Sequence, residues 1–186
     1  MLYLCDEIGG FDLQAALADI SDQRRQQALR FRHEQGQRLC VLAYRLLQQG
    51  LRQEYGIVEP PVFDYGPHGK PYIVGHPEIH FNLSHCREAA LCVVSDRPVG
   101  ADVESIRSYS PLLLRHTMNE AEIQQIESSV QPARAFIRLW TMKEAVLKLS
   151  GRGLTDNMPD VLVGASCTFN TVETERYIYT VAEDYT

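Results

Sequence analysis

Apolar positions recur along this chain at two spacings, and the switches between them predict its elements. Residues 2–5 (LYLC) read as a short first strand. Across residues 12–30, Leu13, Ala16, Leu17 and Ile20 stand at helical spacing in a polar stretch, and Ser21 is placed to cap a second helix. The run from Arg38 to Arg52 is Leu-rich and predicts a helix broken near Gly50. Residues 56–75 are dense in Pro and Gly and predict loop with short extended pieces. Strands are expected at 78–83, 89–95 and 99–104. Residues 111–129 read as helical, with Asn119 and Glu122 as a cap pair. A second Leu-rich helix is expected from about Pro132 to Ser150, stopping at Gly151. Strand character returns at 161–163, 167–172 and 177–181.

Each half therefore holds one long helix that ends at glycine and is followed by strands. That order predicts an α+β chain of two units. No stretch rich in Gly, Ser or Pro separates them, so they are expected to pack together rather than fold independently.

Composition narrows the class. A chain of 186 residues, 45% apolar and 23% charged, has an ordinary soluble composition and can bury a substantial core. Its central apolar run, AALCVV at 89–94, is far too short to cross a bilayer. The N-terminus has no basic residue before its apolar stretch and meets Asp6 at once, so no secretory signal is expected. Five scattered cysteines without a CxxC pair read as thiols in a reducing cytoplasm.

The net charge of −6 argues against general nucleic-acid binding. Yet Arg24, Arg25, Arg30, Arg32, Arg38 and Arg45 stand close together with Glu34 the one acid among them, which makes either a solvated helix face or a local anion site. Lys70, Lys143 and Lys148 are the only lysines, and all fall in segments that carry candidate chemistry.

Asp102 and Glu104, at i and i+2 of a strand, project from the same face. Two like charges in line repel unless a cation sits between them, and oxygen-only ligands suit magnesium. A wet edge strand would carry the same pair. On the second long helix, Phe136, Ile137, Trp140 and Leu147 form an apolar stripe that includes Glu144. A carboxylate there needs a partner. Lys148, one turn on, supplies an internal ion pair; a metal with Lys148 on a phosphate is the other reading. Ser84 and His85 are neighbours on a strand, pointing to opposite faces, so they form no nucleophile–base pair; they read either as a satisfied turn histidine beside a serine or, with backbone N–H groups, as part of a phosphate cradle.

Taken together, GKP (69–71), FNLSH (81–85), GADVE (100–104) and WTMKEAVLKLSGRGL (140–154) resemble the 4′-phosphopantetheinyl transferases, in the larger, two-half class that activates carrier proteins, including the surfactin-synthetase-activating enzymes. The match covers roughly residues 66–165. WxxKEAxxKxxGxGL is a highly specific signature, and GxDxE upstream of it makes chance agreement remote. The resemblance implies two similar α+β halves packed as a pseudo-dimer, residues 1–97 on the nucleotide side and 98–186 on the metal side. It implies transfer of the phosphopantetheine arm of coenzyme A to a serine of an acyl, peptidyl or aryl carrier protein, with release of adenosine 3′,5′-bisphosphate. A cytoplasmic monomer, without nucleic-acid or membrane partners, is expected. The alternative is an inactive module that binds coenzyme A or the carrier.

Carried over by position, Asp102, Glu104 and Glu144 would hold Mg²⁺. Lys148 would face the pyrophosphate with Lys143 near it, and Glu144 and Lys148 would be catalytic. Ser84 and His85 would hold the 3′-phosphate, with Arg24 and Arg38 as the basic residues from the first third. Gly69, Lys70 and Pro71 would line the adenine end. Gln27 stands where several relatives carry lysine. The apolar run after the metal strand (IRSYSPLLLRHTM, 106–118) is either all core or a partly exposed landing for the carrier, with Arg107 or Arg115 steering it.

Overall fold

The computed structural model describes residues 1–153 and 157–184. In chain order the elements are β1 (Leu2–Cys5), α1 (Leu13–Ala18), α2 (Asp22–Leu29), α3 (Glu34–Tyr55), β2 (Phe63–Tyr65), β3 (Pro71–Ile73), β4 (His80–His85), β5 (Ala90–Ser95) and β6 (Val99–Ser105). They continue with α4 (Pro111–Thr117), α5 (Glu120–Glu127), α6 (Pro132–Ser150), a 3₁₀ turn (Met158–Asp160), β7 (Cys167–Glu173) and β8 (Tyr177–Asp184). The fold class is α+β.

Local chemistry explains most boundaries. Ser21 caps α2 by accepting from the Arg24 amide. Asn119 and Glu122 form a reciprocal capping box at the start of α5. That cap splits the region expected as one helix over 111–129 into α4 and α5. The expected break near Gly50 does not occur. Helix α3 runs on to Tyr55 and ends at Gly56, whose φ of 68° is the left-handed cap glycine favours. Gly50 has another reason to be glycine: a Cβ there would stand 2.8 Å from Val94 Cγ2 and 2.9 Å from the Tyr3 ring. Residues 161–163, expected as strand, lie in turns directly after the 3₁₀ segment, between Pro159 and Gly164.

Two antiparallel three-stranded sheets, ordered β1-β5-β4 and β6-β8-β7, each pack on one long helix. Helix α3 covers the first through Leu39, Val41, Ala43 and Leu47, and α6 covers the second through Ala145 and Leu149. A shared core joins the sheets, with Leu91 and Val93 of β5 against Val99, Ala101 and Val103 of β6. The edge strands β4 and β6 face each other without a backbone ladder among the described residues. Side chains bridge them instead: Ala101 N donates to Asn82 Oδ1 (3.1 Å) and Val103 N to Ser84 Oγ (3.2 Å). Packing of α6 on β6 requires Gly100, where a Cβ would lie 2.0 Å from the Ala145 carbonyl oxygen. No described helix is long and apolar enough to cross a membrane.

Candidate active site

Strand β6 and helix α6 bring the acidic residues together. Asp102 is buried, at 4% exposure, and its two oxygens are unequally used. Oδ1 accepts from Ser84 Oγ (2.8 Å) and from Lys148 Nζ (2.6 Å), while Oδ2 is buried with no hydrogen-bond partner. Lys148 also donates to Ser84 Oγ at 3.1 Å. Glu144, one helical turn before Lys148, has its pKa raised by burial first, then by the negative charges of Asp102 and Glu104, with Lys148 pulling the other way. Glu104 is raised for the same reasons, burial and then Asp102, and is opposed by Arg107 and Lys148. The Trp140 indole N–H faces Glu104 closely enough to favour its charge, at a geometry short of a hydrogen bond. The charge of Asp102 thus raises the proton affinity of both glutamates, and the Lys148 ammonium opposes it at both. Among the described residues, no three acidic, histidine or cysteine side chains are gathered tightly enough to share an ion.

A cavity of about 400 Å³ opens beside this cluster, with Glu144, Leu147 and Lys148 of α6 on one wall. Gly69, Lys70 and Pro71 form another, together with Phe63, Tyr65 and His68. Gly69 takes a φ of 82° in the tight turn that begins at Gly66. Lys70 Nζ donates to the Val99 carbonyl of β6 (3.0 Å) and the Leu149 carbonyl of α6 (3.1 Å), both on the side of the second sheet. Burial lowers its pKa.

Arg24 reaches the cavity from α2. Its guanidinium donates to the Cys40 carbonyl through Nε and Nη2 and to Gln27 Oε1 through Nη1, so two of its five N–H groups are uncommitted. His85 packs edge-on against Phe31, and its pKa is lowered by burial and by the charges of Arg24 and Lys148.

Two expected site residues lie elsewhere. Lys143 has no exposure; its amine pairs with Glu122 (2.8 Å) and donates to the Met158 and Pro159 carbonyls. It stands five residues from Lys148, and helix geometry turns two such side chains apart by about 140°. Arg38 is one turn from Glu34 and bonds to it and to the Phe11 carbonyl, in a separate groove with Asp12 and Gln37. Ser84, expected on the 3′-phosphate, sits against Asp102. Leu154 of the GRGL segment lies outside the described residues. In the run after β6, Leu114 is core and Tyr109 stacks on Phe136, whereas Leu112 is 64% exposed beside the exposed Arg115.

Gln27, noted in the sequence only as standing where relatives carry lysine, lines the cavity, and so does Asn82, which was not proposed as a site residue. Asn82 carried a signal: it stands two residues before Ser84 on one strand, so both polar side chains share one face.

Comparison with known proteins points to one family. The profile of the 4′-phosphopantetheinyl transferase superfamily matches residues 98–180, the segment from β6 through β8 that carries Asp102, Glu104, Glu144 and Lys148. Over this segment the chain is similar to that superfamily. It is 28% identical over 143 residues to a 4′-phosphopantetheinyl transferase of Bacillus subtilis, covering 75% of this chain and 63% of that one. The corresponding values are 33% for 4′-phosphopantetheinyl transferase psf-1 of Bacillus pumilus (73% and 60%) and 32% for HetI of a Nostoc species (76% and 64%). The chain thus spans somewhat under two thirds of the length of these transferases.

Proposed function

We propose that the chain transfers the 4′-phosphopantetheine arm of coenzyme A to a serine hydroxyl of an apo carrier protein, releasing adenosine 3′,5′-bisphosphate. The observation that carries this reading is the meeting of Asp102, Glu144 and Lys148 at one end of a cavity whose other walls hold Lys70, Arg24 and the Gly69–Pro71 turn. Residues 1–97 would then supply the nucleotide end and 98–186 the reacting end, in a monomer working in the cytoplasm.

The donor chemistry of Asp102, Glu104 and Glu144 suits magnesium, since all three offer oxygen, Asp102 Oδ2 lacks a partner, and Lys148 and Arg107 are the cations that oppose their charges; to share one ion the three would have to draw closer than they stand. Asp102, Glu104 and Glu144 would hold it. Bound there, it would neutralise charge on the pyrophosphate as the bond to the leaving nucleotide breaks. Lys148 would exchange its bond to Asp102 for a phosphate oxygen, adding a second positive centre at the leaving group. The uncommitted N–H groups of Arg24 and the third proton of Lys70 would face the anionic end of the coenzyme. The incoming serine must lie in line with the phosphorus of the arm, and Glu144, with its raised proton affinity, is the base at hand for its proton. Exposed Leu112 with Arg107 and Arg115 would receive the carrier.

Incubation with coenzyme A, Mg²⁺ and an apo carrier, followed by mass spectrometry of the carrier, tests the proposal. The carrier should gain the mass of the arm, and Asp102→Ala should abolish the gain in a protein that still folds. A carrier of unchanged mass, with coenzyme A still bound by the chain, would leave a binding module instead.

A further inference from the structure

The cluster of arginines in the first third is only partly used by the catalytic cavity. Arg24 reaches it, whereas Arg25 pairs with Asp22 and Arg38 with Glu34. Arg45 lies over the Phe11 ring at 5.7 Å and pairs with no acid among the described residues. It stands at i with Gln49 at i+4 and Arg52 at i+7, so the three make one exposed stripe along α3, the arginines about 10 Å apart in rise. Beside the stripe runs a groove of about 740 Å³, closed on its other side by Leu4 and Cys5 of β1. It shares no lining residue with the catalytic cavity. Against its two arginines stands one acid, Asp19, so the groove is positive in a chain of net charge −6.

The wall made by β1 is an open sheet edge, since β1 pairs with β5 on one side only. The Val94 amide donates to the Met1 carbonyl, and backbone groups of an antiparallel strand alternate in direction. Met1, Tyr3 and Cys5 therefore turn theirs to β5, and Leu2 and Leu4 turn theirs outward, without a partner among the described residues. Side chains alternate as well. Tyr3 and Cys5 pack on the α3 side, and Leu2 and Leu4 pack against the core between the two sheets. A strand added at this edge would turn alternate side chains towards Arg45 and Arg52 and the others to the apolar side.

We propose that this edge docks an extended segment of a partner protein in which acidic and apolar residues alternate. Its backbone pairs with Leu2 and Leu4, which supplies affinity, and its carboxylates meet Arg45 and Arg52, which supplies selectivity. Three acidic residues at alternate positions span about 13 Å, enough to bracket the two arginines. A second copy of this chain is the poorer occupant, because β1 (LYLC) carries no carboxylate to offer.

The test uses the full chain and two fluorescein-labelled heptapeptides, one alternating Glu with Val and one alternating Lys with Val. Anisotropy reads binding, and hydrogen exchange reads the Leu2 and Leu4 amides. The glutamate peptide should bind and the lysine peptide should not, with affinity falling as salt rises. Exchange at Leu2 and Leu4 should slow by about tenfold or more when the glutamate peptide is bound. Arg45→Glu combined with Arg52→Glu should weaken binding by about tenfold or more at an unchanged melting temperature, both side chains being exposed. If that variant does not fold, Arg45→Gln and Arg52→Gln are read singly in the same way.

A glutamate peptide that fails to bind at millimolar concentration, or that binds without slowing exchange at Leu2 and Leu4, overturns the proposal. Protection of these amides that appears without peptide and grows with protein concentration overturns it too, and gives the edge to a second copy. Protection by anionic lipid vesicles and not by the peptide has the same force, and makes the surface a lipid-binding one.

Discussion

Among the described glycines, Gly100 of β6 leaves the least room for a Cβ, and Gly100→Ala probes that packing. A Cβ at residue 100 would stand 2.0 Å from the Ala145 carbonyl oxygen, 2.3 Å from the Leu149 amide nitrogen and 2.8 Å from Leu149 Cα. All three are backbone atoms of α6, so no side chain can rotate out of the way. Restoring an ordinary contact of 3.4 Å from 2.0 Å requires the helix to retreat locally by about 1.4 Å. Overpacking usually costs about 1–3 kcal/mol, and displacement of helix backbone puts this case at or above the upper end. In a domain of this size about 3 kcal/mol corresponds to a melting temperature lower by roughly 6–12 °C. The retreating turn is also the one that carries Glu144 and Lys148, one residue before Ala145 and one before Leu149. Their separation from Asp102 should reduce transfer by about 10²-fold in protein that is still folded, since a 1 Å misplacement can have that effect. Chemical denaturation, thermal melting and the carrier mass assay read these outcomes. Gly9→Ala, where a Cβ meets nothing within 4 Å, serves as the neutral control. Gly100→Ala melting within 2 °C of Gly9→Ala, at about the wild-type temperature, would refute the reasoning.

Three further outcomes are expected. Lys143→Met leaves the Glu122 carboxylate buried without its partner and should cost about 3–5 kcal/mol by denaturation, while coenzyme A affinity in the folded fraction is retained; loss of coenzyme affinity with wild-type stability would return Lys143 to the pyrophosphate. Glu144 binds its proton more tightly folded than unfolded, so its charge lowers stability as pH rises from the ordinary value of 4.5 through the raised folded pKa. In chelator, Glu144→Gln should therefore melt higher than wild type above that window and equally below it, and parallel melting profiles across pH would contradict this. Arg115→Glu should raise the Michaelis constant for an acidic carrier at low salt and leave coenzyme A binding unchanged; an unaltered constant would move the landing surface away from Leu112.

Local rules made much of the framework legible in the sequence. Ser21, the Asn119–Glu122 box and Gly151 act through hydrogen bonds or φ values within a few residues, so they mark helix ends in sequence. The same-face geometry of Asp102 and Glu104 follows from strand alternation alone, and the signature around Lys143 and Lys148 pointed to the superfamily. What the sequence could not assign was direction and occupancy. Both lysines of the signature looked chemical, yet the helix phase turns Lys143 onto Glu122 and the Met158 and Pro159 carbonyls, partners that only the packing of α5 and the 3₁₀ turn brings near. Gly50 appears as a breaker in one dimension and Gly100 only as part of a strand motif, whereas in three both are points where a strand presses against a helix. Ser84 looked like a free hydroxyl because its three partners lie 18, 19 and 64 residues away. A side chain's remaining hydrogen-bonding capacity depends on every neighbour around it, and those neighbours are decided by the tertiary fold.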